Sequence, residues 1–247
     1  MNRPPLEPHP ALKQYYADQA QRPAFVRALF DRTARYYDRI NLLLSWGTGD
    51  WYRRYALQQA GLQPGMRVLD VATGTGLVAR QAVALTKRED TVVGLDISDR
   101  MLAEARRTLQ IHLIQGKAEQ LPFADASFDF LSMGYALRHV TDLETTFHEF
   151  HRVLCPQGTL LLLEISRPSS ELGYRLLNIY LGHLIPWLSR WISGNQETQT
   201  LMRYYWDTIE HCVPVATILQ TLVRAGFVGT GCAVDLGICR AYGGRKA

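Results

Sequence analysis

Apolar positions along this chain fall into two rhythms, and the changeover between them divides it into regions. From Ala24 to Asn41 and from Asp50 to Gln59 they recur at the three- and four-residue spacing of amphipathic helices. The turn signal Gly61-Leu-Gln-Pro-Gly65 ends that rhythm. Short continuous apolar runs rich in β-branched residues follow: MRVLDVA (Met66 to Ala72), TVVGLDI (Thr91 to Ile97), IHLIQG (Ile111 to Gly116), FDFLSMG (Phe128 to Gly134) and TLLLLEI (Thr159 to Ile165). Each has the length and composition of a buried strand. Helices are predicted between them at Gly76 to Leu85, Asp99 to Leu109 and Leu143 to Leu154.

Strands alternating with helices of this length imply right-handed βαβ crossovers and a parallel sheet covered on both faces, a doubly wound, Rossmann-like α/β fold. Over residues 166–211 the alternation stops. ELGYRLLNIYLGHLIPWLSRWISG is strongly apolar and aromatic there, with a helical spacing interrupted at Pro186. A helix from Pro214 to Ala225 and two short strands, near Val228 to Val234 and Gly237 to Tyr242, complete the pattern. At the other end, Pro4, Pro5, Pro8, Pro10 and Pro23 predict an irregular arm with one short helix near Leu12 to Ala20. The expected organisation is a single domain: an arm and covering helices over 1–60, and a core over 61–247 that carries residues 166–211 as a helical lid.

Composition narrows the function classes. The chain has 247 residues, 47% hydrophobic and 20% charged, with a net charge of +4, so it is long enough for a substantial core. Its basic pairs, Arg53-Arg54, Lys87-Arg88, Arg106-Arg107 and Arg245-Lys246, are scattered and not gathered in a stripe, which argues against nucleic acid as a partner. Cys155, Cys212, Cys232 and Cys239 have no zinc spacing, and His148 with His151 read as helix-surface residues, so no metal is expected. Free cysteines and the absence of an apolar leader or spanning run point to a cytoplasmic protein that at most touches a membrane surface.

The chemistry concentrates in VLDVATGTG, Val68 to Gly76, a strand running into a glycine turn and then a helix. Gly74 and Gly76 permit positive φ, and a ligand can lie on the turn beside the helix N-terminus. Asp70 stands where a dinucleotide fingerprint has its first glycine, which favours a cofactor with an amino-acid moiety over a pyrophosphate. Asp96 ends the second strand about where an acidic residue accepts ribose hydroxyls. The bland alternative is that both aspartates only cap helices.

With AEQLPFADASFD, ALRHVTD, RVLCPQGTLLLLEISRP, the helices FDRTARYYDRINLLLSWGTGDWYRR and a terminal AGF all in order, the chain resembles the class I methyltransferases, specifically the ubiquinone/menaquinone biosynthesis C-methyltransferase family, from Phe30 to about Lys246. The resemblance implies a seven-stranded sheet with the last strand antiparallel and S-adenosylmethionine at the point where strand order reverses. It implies that Asp70, Gly74 and Gly76 meet the methionine portion, Asp96 the ribose and Ala118 the adenine edge through its backbone, with Ala72, Thr73, Ile97, Met101 and Glu119 among the cofactor contacts. Tyr37 and Asn41 would close the site from the N-terminal helices. Two positions depart from the family pattern around the cofactor: Leu77 where an Asp is usual, and Lys117 where an Asn or Asp is usual.

A third departure bears on catalysis. The family's G-L-R-N signature reads Ala136-Leu-Arg-His139 here. Ring methylation needs a phenol that loses or shares its proton, so the expectation is that Arg138 holds the acceptor oxygen while His139 takes its proton. The competing reading is that His139 packs or caps. Tyr135, Tyr204 and Trp206 are candidate acceptor contacts, and the apolar insert with Tyr174, Tyr180, Trp187 and Trp191 suggests a lipophilic acceptor such as a prenylated quinone or phenol, or a peripheral membrane contact; the competing reading is that it packs as ordinary core or forms a homodimer face. A methyltransferase acting on oxygen, nitrogen or a non-quinone lipid, and a non-catalytic cofactor-binding subunit, remain as alternatives.

Overall fold

The computed structural model describes residues 4–247. Seven strands, β1 (Val68–Val71), β2 (Val92–Asp96), β3 (His112–Gln115), β4 (Phe128–Gly134), β5 (Leu154–Ile165), β6 (Phe227–Asp235) and β7 (Cys239–Lys246), form one sheet in the order β3-β2-β1-β4-β5-β7-β6. The first five are parallel, and β7 enters antiparallel between β5 and β6. Order reverses between β1 and β4, which opens a crevice at their carboxyl ends.

Both faces are covered, which is why the strands read as unbroken apolar runs. Along β5, Leu160 and Leu162 pack with Phe147 and Phe150 of α5 (Leu143–Val153) and with Ile218 and Leu222 of α9 (Val215–Arg224). The alternate residues Leu161 and Leu163 face Leu57 of α2 (Gly49–Gln59) and Val78 and Ala82 of α3 (Leu77–Thr86). Between these come α4 (Asp99–Ala105), α6 (Glu171–Leu177), α7 (Ile185–Ser193) and α8 (Gln196–Glu210).

A third core joins the ends of the chain. Val26, Leu29 and Ile40 of α1 (Arg22–Leu44) pack with Leu12 and Tyr16 of the arm and with Leu181, Ile185, Leu201, Tyr204 and Trp206 of the insert. The insert and α1 therefore form one roof over the sheet's carboxyl edge. Its outer surface exposes Leu172, Leu176, Ile179, Trp187 and Trp191, with Leu42 and Trp46 of the α1 end. No helix among the described residues is long and apolar enough to cross a membrane.

Two local expectations are corrected. The insert is not broken at Pro186, which sits in the first turn of α7. Its irregularity is a π-helical turn over Asn178–Leu184, just before the proline, where the Ile185 N–H reaches back to the Tyr180 carbonyl. Proline has no N–H to continue the ordinary ladder, and a widened turn absorbs the mismatch. The arm has no helix over Leu12 to Ala20, only a 3-10 turn at Gln19–Gln21 that the Asp18 side chain caps. Its backbone is drawn out to other elements instead: Leu6 exchanges hydrogen bonds with Asp142 and Leu143, and the Pro8 carbonyl accepts from Val213.

Candidate active site

A cavity of about 350 Å³ fills the crevice at the reversal point, within the range of small-molecule sites. The carboxyl ends of β1, β2 and β4 form its floor through Ala72, Gly74, Asp96, Ile97 and Tyr135, and Met101 of α4 and Ala118 and Glu119 after β3 form one side. The roof is α1, which contributes Val26, Phe30 and Tyr37. His139 and Thr141, after β4, close the far end. Ala72 at φ 54° and Tyr135 at φ 61° end neighbouring strands in left-handed conformations. Non-glycine residues in that region store strain that the surroundings must hold, a feature that gathers at binding sites.

Asp96 organises the cofactor side. Its carboxylate accepts from the Gly74 N–H and the Ser98 N–H, each at 2.8 Å, so it fixes the glycine turn to β2. Burial pushes its pKa up to about 6, against the pull of those hydrogen bonds. The turn is also tied to α1: the Thr75 hydroxyl donates to Asp38, which pairs with Arg80 at 3.0 Å, and the Ser98 hydroxyl donates to Asp31. No carboxylate in this set was expected from the sequence apart from Asp96, because the hydrophobic pattern marks which face of α1 is buried but not which loop it meets.

Several expected contacts lie outside the lining, each for a visible reason. Asp70 is fully buried beneath the turn, where it accepts from Ser132 at 2.6 Å and Thr73 at 2.7 Å; burial raises its pKa to about 6. It and Thr73, which donates to it, lie beneath the glycine turn and outside the cavity lining. Gly76 faces Leu109, whose Cδ1 would lie 2.3 Å from an added Cβ, while the same position on Gly74 meets nothing within 4 Å. Asn41 donates to the Tyr37 carbonyl and is reached by Arg53.

At the acceptor end, Arg138 does not face the cavity. Its guanidinium is fully buried, paired with Glu164 at 2.8 Å, and donates to the Thr208 hydroxyl at 2.6 Å and the Tyr205 carbonyl. It pins α8 to the end of β4 and lies outside the cavity lining, so the expectation that it holds the acceptor oxygen is corrected. Tyr204 is buried behind His139, and Trp206 faces a separate groove lined by Tyr15, Asn178 and Trp187. Lys117 lines the cavity beside Ala118. Glu119 accepts from both the N–H and the hydroxyl of Thr141.

His139 does face the cavity, and its ring is held on both sides by aromatic contacts. Phe30 meets it edge-on at 5.3 Å between centroids, and Tyr204 stacks at 5.6 Å. Neither ring nitrogen has a hydrogen-bond partner. Burial, followed by the Arg138, His9 and Arg22 charges, lowers its pKa well below 6.5, so the ring is neutral. Sequence reading missed Val26, Phe30 and Thr141, which carry no chemical signature of their own.

Comparison with known proteins gives the family. The model of the ubiE/COQ5 methyltransferase family matches residues 16–245. The ubiquinone/menaquinone biosynthesis C-methyltransferase UbiE of Shewanella sp. (strain ANA-3) is 33% identical over 209 residues, 82% of each chain, and that of Shewanella oneidensis is 32% identical over the same shares. Among solved structures, a SAM-dependent methyltransferase of Thermotoga maritima described as a possible histamine N-methyltransferase aligns with a TM-score of 0.65 at 20% identity, over 90% of this chain and 99% of its own. Phosphoethanolamine N-methyltransferase 2 of Haemonchus contortus, solved with S-adenosyl-L-methionine, aligns at 0.55 and 16% identity over 79% of this chain and 52% of its own. With residues 16–245 of the chain matched by that one family model and UbiE relatives at about a third identity, this chain belongs to the ubiE/COQ5 family of S-adenosylmethionine-dependent methyltransferases.

Proposed function

We propose that the chain methylates a ring carbon of a lipophilic quinol or phenol, a reading supported by relatives named ubiquinone/menaquinone biosynthesis C-methyltransferases. The observation that carries this reading is one continuous cavity with a cofactor half, around Gly74 and Asp96, and an aromatic half, walled by Phe30, Tyr37 and Tyr135 and ending at His139. The residues fit the cofactor: Asp96 has lone pairs to accept ribose hydroxyls, the open side of Gly74 admits the amino-acid portion, and Ile97, Met101 and Ala118 give apolar cover for adenine. When bound, S-adenosylmethionine supplies a sulfonium methyl, whose carbon–sulfur bonding pair leaves with sulfur as the acceptor carbon attacks.

The protein's own part is alignment and exclusion of water. α1 covers the crevice, and its Asp31 and Asp38 ties hold the roof to the turn. Fixing donor and acceptor in line contributes about 7–11 kcal/mol at best, with no covalent step by the enzyme. His139 hydrogen-bonds the acceptor oxygen, and Arg138 is a positioning residue that holds the His139 turn against Glu164 and α8. The test is incubation with S-adenosylmethionine and demethylated quinols from a lipid extract, read by mass spectrometry. A product heavier by one methylene is expected. Cofactor binding without methylation of any demethylated quinol would overturn the reading.

A further inference from the structure

Behind the acceptor end lies a buried polar cluster that the proposed chemistry has not used. Arg22, the first residue of α1, is 1% exposed. One of its terminal nitrogens donates to the carbonyl of Val140, a residue that lines the cavity next to His139. Its Nε and other terminal nitrogen have no partner, and it forms no ion pair with any described residue. Close by, Nε2 of His9 and both nitrogens of His139 are unpartnered, and the Tyr16 and Tyr204 hydroxyls find no partner of hydrogen-bond geometry.

The charges facing His139 can be added up. Arg138 is balanced by Glu164. His9, with its pKa lowered by burial to about 4, is neutral at ordinary pH, and Tyr204 keeps its proton because burial raises its pKa. Glu119 stands at the cavity side, turned to Thr141. Glu7, which accepts from Gln19, acts on Tyr16 together with Arg22, but among the described residues no carboxylate forms an ion pair with the Arg22 guanidinium, which is left as a buried cation with two unpartnered nitrogens. Such a charge is costly unless an anion joins it. Val140, whose carbonyl it holds, and Pro23, the next residue of α1, both line the cavity, and its charge acts on the His139 ring.

From this arrangement we infer that the acceptor end receives an oxygen already deprotonated, with His139 donating its N–H to that oxyanion and Arg22 supplying the balancing positive field from behind. The inference rests on the proposed ring methylation and names its acceptor more narrowly: an acidic phenol, enol or hydroxyquinol bound as its anion. A neutral imidazole among guanidinium charges is a poor proton acceptor and a ready donor, so His139 does not act as the base. The hydroxyl proton goes to water before the acceptor binds. The anionic oxygen then directs electron density to the ring carbon, which forms the new carbon–carbon bond as the carbon–sulfur bond breaks with its pair on sulfur. The ring proton at that carbon leaves to water as aromaticity returns.

The test uses 4-nitrophenol, whose phenolate is visible by its absorbance, titrated into the full-length protein saturated with S-adenosylhomocysteine. Bound to the wild type, its ionisation is expected to shift about one pH unit or more to the acid side, a tenfold preference for the anion. Arg22→Gln should return the ionisation to its value in free solution, and Arg22→Lys should keep most of the shift. Calorimetric affinity for S-adenosylhomocysteine reports whether each variant is folded; should Arg22→Gln not fold, the wild-type shift and Arg22→Lys still decide. Absence of binding, an unshifted ionisation in the wild type, or a shift that survives in folded Arg22→Gln overturns the inference. A shift without methylation of any quinol would instead leave the anion site standing and remove the quinol reading.

Discussion

Gly74 and Gly76 stand two positions apart in one motif, yet they have different reasons to be glycine. Both hold positive φ, 58° and 86°. Beyond Gly74 is open cavity; beyond Gly76 is the Leu109 side chain. Gly76→Ala should therefore cost about 3 kcal/mol of stability through strain and overpacking. Gly74→Ala should cost about 1 kcal/mol but weaken cofactor binding roughly tenfold or more. Urea unfolding and calorimetric titration of both variants check this; equal effects on both readouts would contradict it. The motif's spacing is legible in sequence, but the division of labour depends on Leu109, a distant residue that only folding brings beside Gly76. Asp70 teaches the same lesson. A buried carboxyl raised from 3.8 to about 6 contributes its stabilisation fully below pH 3.8 and loses it as pH rises through 6. Between pH 4 and 7 the wild type should lose about 2 kcal/mol more unfolding free energy than Asp70→Asn, measured by urea denaturation at each pH. A constant difference across that window would exclude the buried-carboxyl account.

At the scale of elements, α1 works as a roof because polar ties fix it where apolar contacts alone would let it slide. Asp38 is partly exposed and bonds both Thr75 and Arg80, so Asp38→Ala should change global stability by less than about 1 kcal/mol. Cofactor dissociation in stopped flow should nevertheless become several-fold faster; an unchanged rate would mean the tie does not hold the roof. The Arg138–Glu164 pair behaves oppositely, since both partners are buried. Glu164→Gln should cost about 3–5 kcal/mol by leaving the guanidinium unpaired, and adding Arg138→Met should recover part of the loss in thermal unfolding. Additive losses in the double variant would show that the two do not act as a pair. The helix pattern located α1, but a charged residue in a motif reads alike whether it meets a ligand or another helix. Arg138 was assigned to the acceptor on that ground, and it is Glu164 and Thr208 that claim it.

Across the whole molecule, the cavity is a junction of the sheet edge, α1 and the loops after β3 and β4, so filling it should stabilise all of them together. At a hundredfold excess over its dissociation constant S-adenosylmethionine should add about 2.7 kcal/mol, a rise of roughly 5–11 °C in melting temperature for a chain of this size, while NADH should add nothing. A comparable rise with NADH would contradict the cofactor reading of the glycine turn. By itself the sequence determined the strand and helix alternation, the glycine turn, Asp96 at the second strand's end and the family, because periodicity and loop chemistry are local and survive in one dimension. Tertiary structure alone decided that Asp70 and Arg138 are buried supports, that α1 and the insert share a core, and that the buried Arg22 near His139 has no ion-pair partner among the described residues. Those facts depend on which distant side chains meet, and a partner's identity and the water it displaces are not written in the local pattern.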